Sequence, residues 1–346
     1  MADFSEEVAE RATDLQQLAI TNPSEVPLDE LYEIISTPTV SPNTHGAAIV
    51  ALLNVARARD DVGSAFVDDL DRLLNRPSLN DALVLRCLRQ LAANDPAAVL
   101  RIQEGITARI SLEKSEITQA ATGCCVELAS TEPQAFVDHV PMLSALLDVE
   151  NETVRTNAIY ILSQVAHEYP EEVKPMVPQL IAGITERDQS YQTNALSALG
   201  AVTSAYPATA KSTTEVLAEL TSASALKVRA NAAALLADIA KEHPDAVEDH
   251  VPALIDCFHS DDEFLCGNAA SAVLQIGVQN RAAVEEAIPA LIELLDDPSP
   301  VVRRNACKAL GQLEATVALV QLHSVAESDP DEKVRELASW AIDGIS

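Results

Sequence analysis

The dipeptide Asn-Ala returns at a fixed interval along this chain. It stands at Asn157-Ala158, Asn194-Ala195, Asn231-Ala232, Asn268-Ala269 and Asn305-Ala306, so successive asparagines lie 37 residues apart. A period of this size marks a repeat array, in which each repeat is a small motif that buries its apolar face only against its neighbours. A chain of 346 residues would otherwise imply two or three globular domains. An array grows in one dimension and needs no central core.

Two proline series share the register. Pro96, Pro133, Pro170, Pro207 and Pro244 fall 37 apart, where the first helix of a pair should begin. Proline suits that position because its missing N–H would be unpaired there anyway. Pro141, Pro178, Pro252 and Pro289 lie further in, with Glu215 at the vacant point. They predict a first helix that is kinked or split and a straighter second helix. In that second helix Val154, Ala158, Leu162 and Val165 form an apolar stripe at helical spacing. Aromatic residues are only 3% of the chain, which argues against sheets.

Taken in order, residues 4–20 predict an amphipathic helix that Asn22-Pro23-Ser24 ends. Helices follow at about 28–36 and 43–58. Regular pairs are expected at 63–75 with 78–93, 96–111 with 114–131 and 133–148 with 151–168. The series continues at 170–186 with 188–205, 207–222 with 225–242, 244–260 with 262–279, 281–297 with 299–313 and 315–327 with 331–345. The domain reading is an N-terminal capping helix (1–24) and a repeat array (25–346) of about nine helix pairs. The last repeat is short: Leu337 takes the asparagine position only 32 residues after Asn305.

The chain carries 53 acidic against 23 basic residues, a net charge of −30. That charge disfavours nucleic acid and anionic membranes as partners. Acid excess with few lysines and few aromatics fits a high-salt cytoplasm, where screening shrinks to roughly 3 Å at about 1 M salt. Between residues 55 and 115 the balance is 9 bases to 9 acids, so this stretch is expected to be salt-bridged surface and the place that least repels an acidic partner. No apolar run reaches the ~18 residues of a membrane span. No Cys-x-x-Cys pair occurs among Cys87, Cys124, Cys125, Cys257, Cys266 and Cys307, and Cys87 and Cys124 share a core column. The acidic N-terminus has no apolar leader core, and the location expected is cytoplasmic.

The run Asp297-Pro298-Ser299-Pro300-Val301-Val302-Arg303-Arg304-Asn305-Ala306-Cys307-Lys308-Ala309-Leu310-Gly311 resembles a HEAT-like repeat, and Leu162-Ser163-Gln164-Val165-Ala166 resembles the end of an armadillo repeat. The resemblance covers roughly residues 40–345. It implies an all-α, right-handed α-solenoid with second helices lining the concave face. It also implies that Arg155, Arg229, Arg303 and Arg335 bridge repeats as structural ion pairs. The asparagine series is expected to hydrogen-bond the adjacent repeat's loop.

Candidate chemistry is sparse. The histidines show no ligand spacing, and no nucleophile–base pairing or phosphate loop is visible. A lone His167-Glu168 cannot supply the several His-Glu pairs of HEAT-repeat iron hydroxylases. The function expected is a non-enzymatic scaffold for another protein, without cofactor or metal. The alternative is a lyase-like HEAT enzyme or cofactor-handling factor. The partner-binding candidates lie off the apolar stripe: Tyr160, Gln164 and His167 share one face of their helix. Peptide-gripping armadillo repeats place Asn at the Gln164 position and Trp four residues earlier. Here the earlier column reads Arg86, Gly123, Tyr160, Ser197, Ala234, Ser271 and Lys308, so the aromatic pockets are missing and a broader polar groove is expected. The candidate set is Arg86, Arg89, Gln90, Tyr160, Gln164, His167, Asp238, Lys241, Lys308 and Gln312.

Overall fold

The computed structural model describes residues 2–62, 64–76, 81–209 and 211–345. They fold into helices, with no strand among them. The expected helix starts at 63 and 78 lie outside the described residues. The chain divides into two compact units, Met1–Tyr169 and Pro170–Ser346.

The first unit contains α1 (Ala2–Thr21), α2 (Leu28–Ser36), α3 (Pro42–Ala58), α4 (Val67–Leu74), α5 (Asp81–Asn94), α6 (Pro96–Leu100), α7 (Gln103–Thr107), α8 (Ser115–Ala129), α9 (Val140–Ala145) and α10 (Glu152–Glu168). The long second helices pack side by side, α3 on α5, α5 on α8 and α8 on α10, with the shorter helices behind them. The first helix, α1, packs on α3 and so extends the second-helix layer by one.

The second unit repeats this plan. It contains α11 (Pro170–Val173), α12 (Val177–Glu186), α13 (Gln189–Ala205), α14 (Thr214–Leu220), α15 (Leu226–Glu242), α16 (Val251–Cys257), α17 (Glu263–Gln279), α18 (Ile288–Glu293), α19 (Pro300–Gln312), α20 (Leu319–Ser328) and α21 (Glu332–Ile345). Its inner layer runs α13, α15, α17, α19, α21. Each inner helix buries the stripe that the sequence marks. On α10, Val154, Ala158, Leu162 and Val165 are at most 1% exposed. Burying such a side chain contributes about 1.5–3 kcal/mol, and the stripe recurs in every repeat.

The first helices are split, as the inner prolines predict. The segment Pro133–His139 is 3-10 before α9, and Arg281–Ala287 is 3-10 before α18. Proline is nevertheless not the cause. Short segments also begin where the column holds Glu104 (α7) and Glu215 (α14). In all six repeats the column residue is the second of its segment. That position leaves the N–H free, which suits proline, and faces the positive end of the helix dipole, which suits glutamate. The break belongs to the repeat, and two residue types serve it.

The inner helices start on a cap column with the same 37-residue period. Asn151 accepts from Val154 N, Asp188 from Ser190 N and Tyr191 N, Asp262 from Leu265 N and Ser299 from Val301 N. Ala225 stands at the fifth point, with the extended backbone of a cap and no side chain to perform it.

Two expectations need correction. The asparagines reach the neighbouring helix, not its loop: Asn157 Nδ2 donates to Thr122 Oγ1 (3.1 Å) and Asn268 Nδ2 to the Ala230 carbonyl (3.3 Å). Each sits in the second turn of its helix, level with the adjacent helix, so its short side chain meets that helix first. Asn194 instead bonds Ser190 in its own helix. The arginine series mostly binds its own repeat. Arg155 Nη1 donates to the Val149 and Glu150 carbonyls, and Arg335 Nη1 to those of Asp329 and Pro330. These are loop carbonyls that a helix end leaves without partners. Arg303 caps its loop the same way and alone in the series adds an ion pair among the described residues, two hydrogen bonds to Asp329 at 2.7 and 3.0 Å. Arg303 holds the Asp329 carboxyl below the usual carboxylate range.

Close packing demands small residues at two contacts. A Cβ on Gly183 would lie 2.3 Å from the buried Tyr191 ring, and one on Gly311 would lie 2.7 Å from Ala341 and 2.9 Å from Trp340. All six cysteines are buried as free thiols. Burial pushes Cys87, Cys125 and Cys307 up to about 12 and Cys266 to about 11.

Candidate interaction face

A second helix has neighbours on both sides and a first helix behind it. Its remaining face is one stripe, which on α10 runs through Thr153, Asn157, Tyr160, Gln164 and His167. Their spacing of three or four residues keeps them on one face. None of these five is fully buried, whereas Val154, Ala158 and Ile161 beside them are.

In the first unit, Arg86, Arg89 and Gln90 lie on α5, and Tyr160, Gln164 and His167 on α10, with α8 between the two helices. The structure therefore puts these six on one helical layer. Both arginines are already engaged. Arg86 Nη2 donates to Glu116 Oε1 and Arg89 Nε to Glu127 Oε1, each at 3.0 Å and each across to α8. The Arg89 side chain lies over Gly123, where a Cβ would come within 3.3 Å of it. Gln90 donates to Asn94 Oδ1, and Asn94 in turn ties the carbonyls of Ala56 and Arg59. The charge-balanced stretch is laced by further pairs, Arg59–Asp61, Arg72–Asp69, Arg101–Asp68 and Arg109–Asp81. Six of its nine basic residues are thus paired with acids within the protein.

In the second unit, Asp238 and Lys241 lie on α15, and Lys308 and Gln312 on α19, with α17 between them. Lys241, Lys308 and Gln312 are exposed. Burial pushes the half-buried Asp238 carboxyl up, against the opposing pull of Lys241. Sequence reasoning missed Trp340. The shortened last repeat shifts its register by five residues, which brings the chain's single tryptophan into the column of Tyr160 and Lys308. Trp340 is 46% exposed and packs one edge against Gly311. Phe264, in the column of Thr153, is 69% exposed.

No group of His, Cys, Asp and Glu that could hold a metal occurs among the described residues. No helix there is long and apolar enough to cross a membrane.

A family model for HEAT repeats matches residues 268–343, the stretch from α17 to α21. An engineered protein of known crystal structure superposes with a TM-score of 0.85 at 24% identity, covering 99% of this chain and 95% of the other. A designed armadillo repeat protein, solved in complex with the peptide (KR)4, gives 0.53 at 20% identity over 60% of this chain and 99% of its own. The chain has a helical-repeat fold of HEAT/armadillo type. A second engineered protein shares the fold at a TM-score of 0.53 and 24% identity over 60% of this chain. No curated protein matches. The HEAT/armadillo assignment fixes the architecture, and any function must be argued from the stripe residues, since one fold carries many jobs.

Proposed function

We propose that this HEAT/armadillo-type protein is a non-enzymatic scaffold that binds another protein along its second-helix face. In a right-handed solenoid of the kind the resemblance implies, that face is concave. One observation carries the reading. Most positions of this stripe on the second helices stay out of the core, and most of them are polar or small, while their neighbours are buried. An enzyme would concentrate such residues in one pocket, whereas here they recur along each layer. The designed armadillo protein that shares the fold holds a peptide, which supports a peptide or protein as the kind of partner. The acid-rich surface suits a high-salt cytoplasm, where repulsion between protein molecules is screened.

The test is the double change Tyr160→Ala with Arg86→Ala. Neither side chain belongs to the buried stripe, so the circular dichroism spectrum should not change. Affinity for the partner recovered in stoichiometric amount should fall by about 2 kcal/mol or more if these positions anchor it. Binding that survives the double change, and is abolished by substitutions on the first helices, would sink the proposal.

A further inference from the structure

The second unit spans 27 acidic and 12 basic residues, yet its second-helix stripe is cationic. Lys227 and Lys241 lie on it from α15, Lys308 from α19 and Lys333 from α21, all exposed. They are four of the chain's seven lysines. On the faces of α15, α17, α19 and α21 the acid in register with these columns is Asp238, which is half-buried, and the exposed Glu336 stands beside Lys333 one position off them. None of the four makes an ion pair among the described residues, whereas Lys211, off the stripe, pairs with Asp245 at 3.1 Å. In the first unit Arg86, in the column of Lys308, pairs with Glu116 at 3.0 Å. Cations left open where acids outnumber them two to one call for an external counter-charge.

The apolar residues complete the pattern. The column at the start of the inner helices reads Lys227, Phe264, Val301 and Lys333, two lysines bracketing an exposed phenylalanine and a partly buried valine. The next column is Asn231, Asn268, Asn305 and Leu337, and the one after it ends on Trp340. Asn268 is already tied to the Ala230 carbonyl, so what this face offers a ligand beside its lysines is the apolar surface of Phe264, Val301 and Trp340.

We infer that this face docks an extended acidic peptide, with carboxylates at its ends and apolar residues between them. This rests on the scaffold reading and names its ligand. Lys227 and Lys333 are three helix steps apart, roughly 24–30 Å at 8–10 Å per step. A strand rising about 3.3 Å per residue covers that in roughly eight residues. Nucleic acid fits less well, because its continuous charge extends beyond the stripe into the acid excess. A short peptide confines its carboxylates to the lysines, and salt screens the distant acids more than the contact pairs.

The experiment is fluorescence anisotropy on the full chain with three labelled probes: an eight-residue peptide with two glutamates at each end and leucine and serine between, its twin with lysines for glutamates, and a single-stranded oligonucleotide of equal length. The glutamate peptide should bind at least 10-fold more tightly than either alternative. The double change Lys227→Gln with Lys333→Gln, or Phe264→Ser alone, should weaken it at least 10-fold, and Lys211→Gln should not. Preference for the lysine twin or the oligonucleotide overturns the inference, and so does insensitivity to the Lys227 and Lys333 changes. If no probe binds, the acidic track is wrong. The scaffold reading is then still decided separately, by the Tyr160 and Arg86 variant in the first unit.

Discussion

At the scale of single residues, Arg303 shows how one side chain holds a loop and a neighbouring repeat together. Its Nη1 satisfies the carbonyls of Asp297 and Pro298, and its other donors grip Asp329, which is 9% exposed. Removing one partner of a buried pair leaves the other charge stranded and costs about 3–5 kcal/mol. Asp329→Asn should therefore lower the urea midpoint at pH 7. The sign of the pH effect follows from the depressed carboxyl. The folded protein binds this proton less readily than the unfolded chain does, so the stabilisation is complete above the unfolded value of about 3.9. It fades as pH falls through the lower folded value. The gap between wild type and Asp329→Asn should shrink along that descent, and a gap constant from pH 7 to pH 3 would refute the assignment. The arginine series itself was legible in the sequence, but its partners were not. An arginine reports a positive charge, and only three dimensions show that carbonyls of its own loop lie nearer than a neighbour's carboxylate.

At the scale of elements, the cap column offers a test that adds an interaction. Ala225 has the extended backbone of an N-cap (φ −86°, ψ 122°) and no side-chain acceptor. Serine serves that position on α19, so Ala225→Ser should stabilise the second unit by about 1 kcal/mol without altering the net charge. A thermal midpoint unchanged or lowered in calorimetry would count against the shared cap geometry. The helix pairs were legible to within a few residues, because the 37-residue period and the prolines repeat each boundary several times. The origin of the broken first helices was less legible. Glutamate and proline look unrelated as letters, and they become equivalent only where a helix begins. Trp340 escaped for a similar reason, since five missing residues displace it from its column in the sequence but not in the stack.

At the scale of the whole molecule, charge dominates. Nine ion pairs are formed among the described residues, against 53 acidic side chains in the chain. The surplus repels itself, which weakens the compact state when little salt is present. The thermal midpoint should rise markedly from dilute buffer to molar KCl, and a midpoint indifferent to salt would refute the high-salt reading. The period gave the architecture from the sequence alone. The cationic stripe within an acidic chain needed the structure, because whether a lysine is paired depends on neighbours from other repeats. The buried cysteines bear on how such a molecule opens. A thiol whose ionisation burial opposes and which is sealed from solvent reacts only in molecules that have locally come apart. Cys87, Cys124 and Cys125 lie in one unit and Cys257, Cys266 and Cys307 in the other. The protein thus carries three native reporters in each half, and the order in which an added alkylating reagent consumes them gives the order in which the halves breathe.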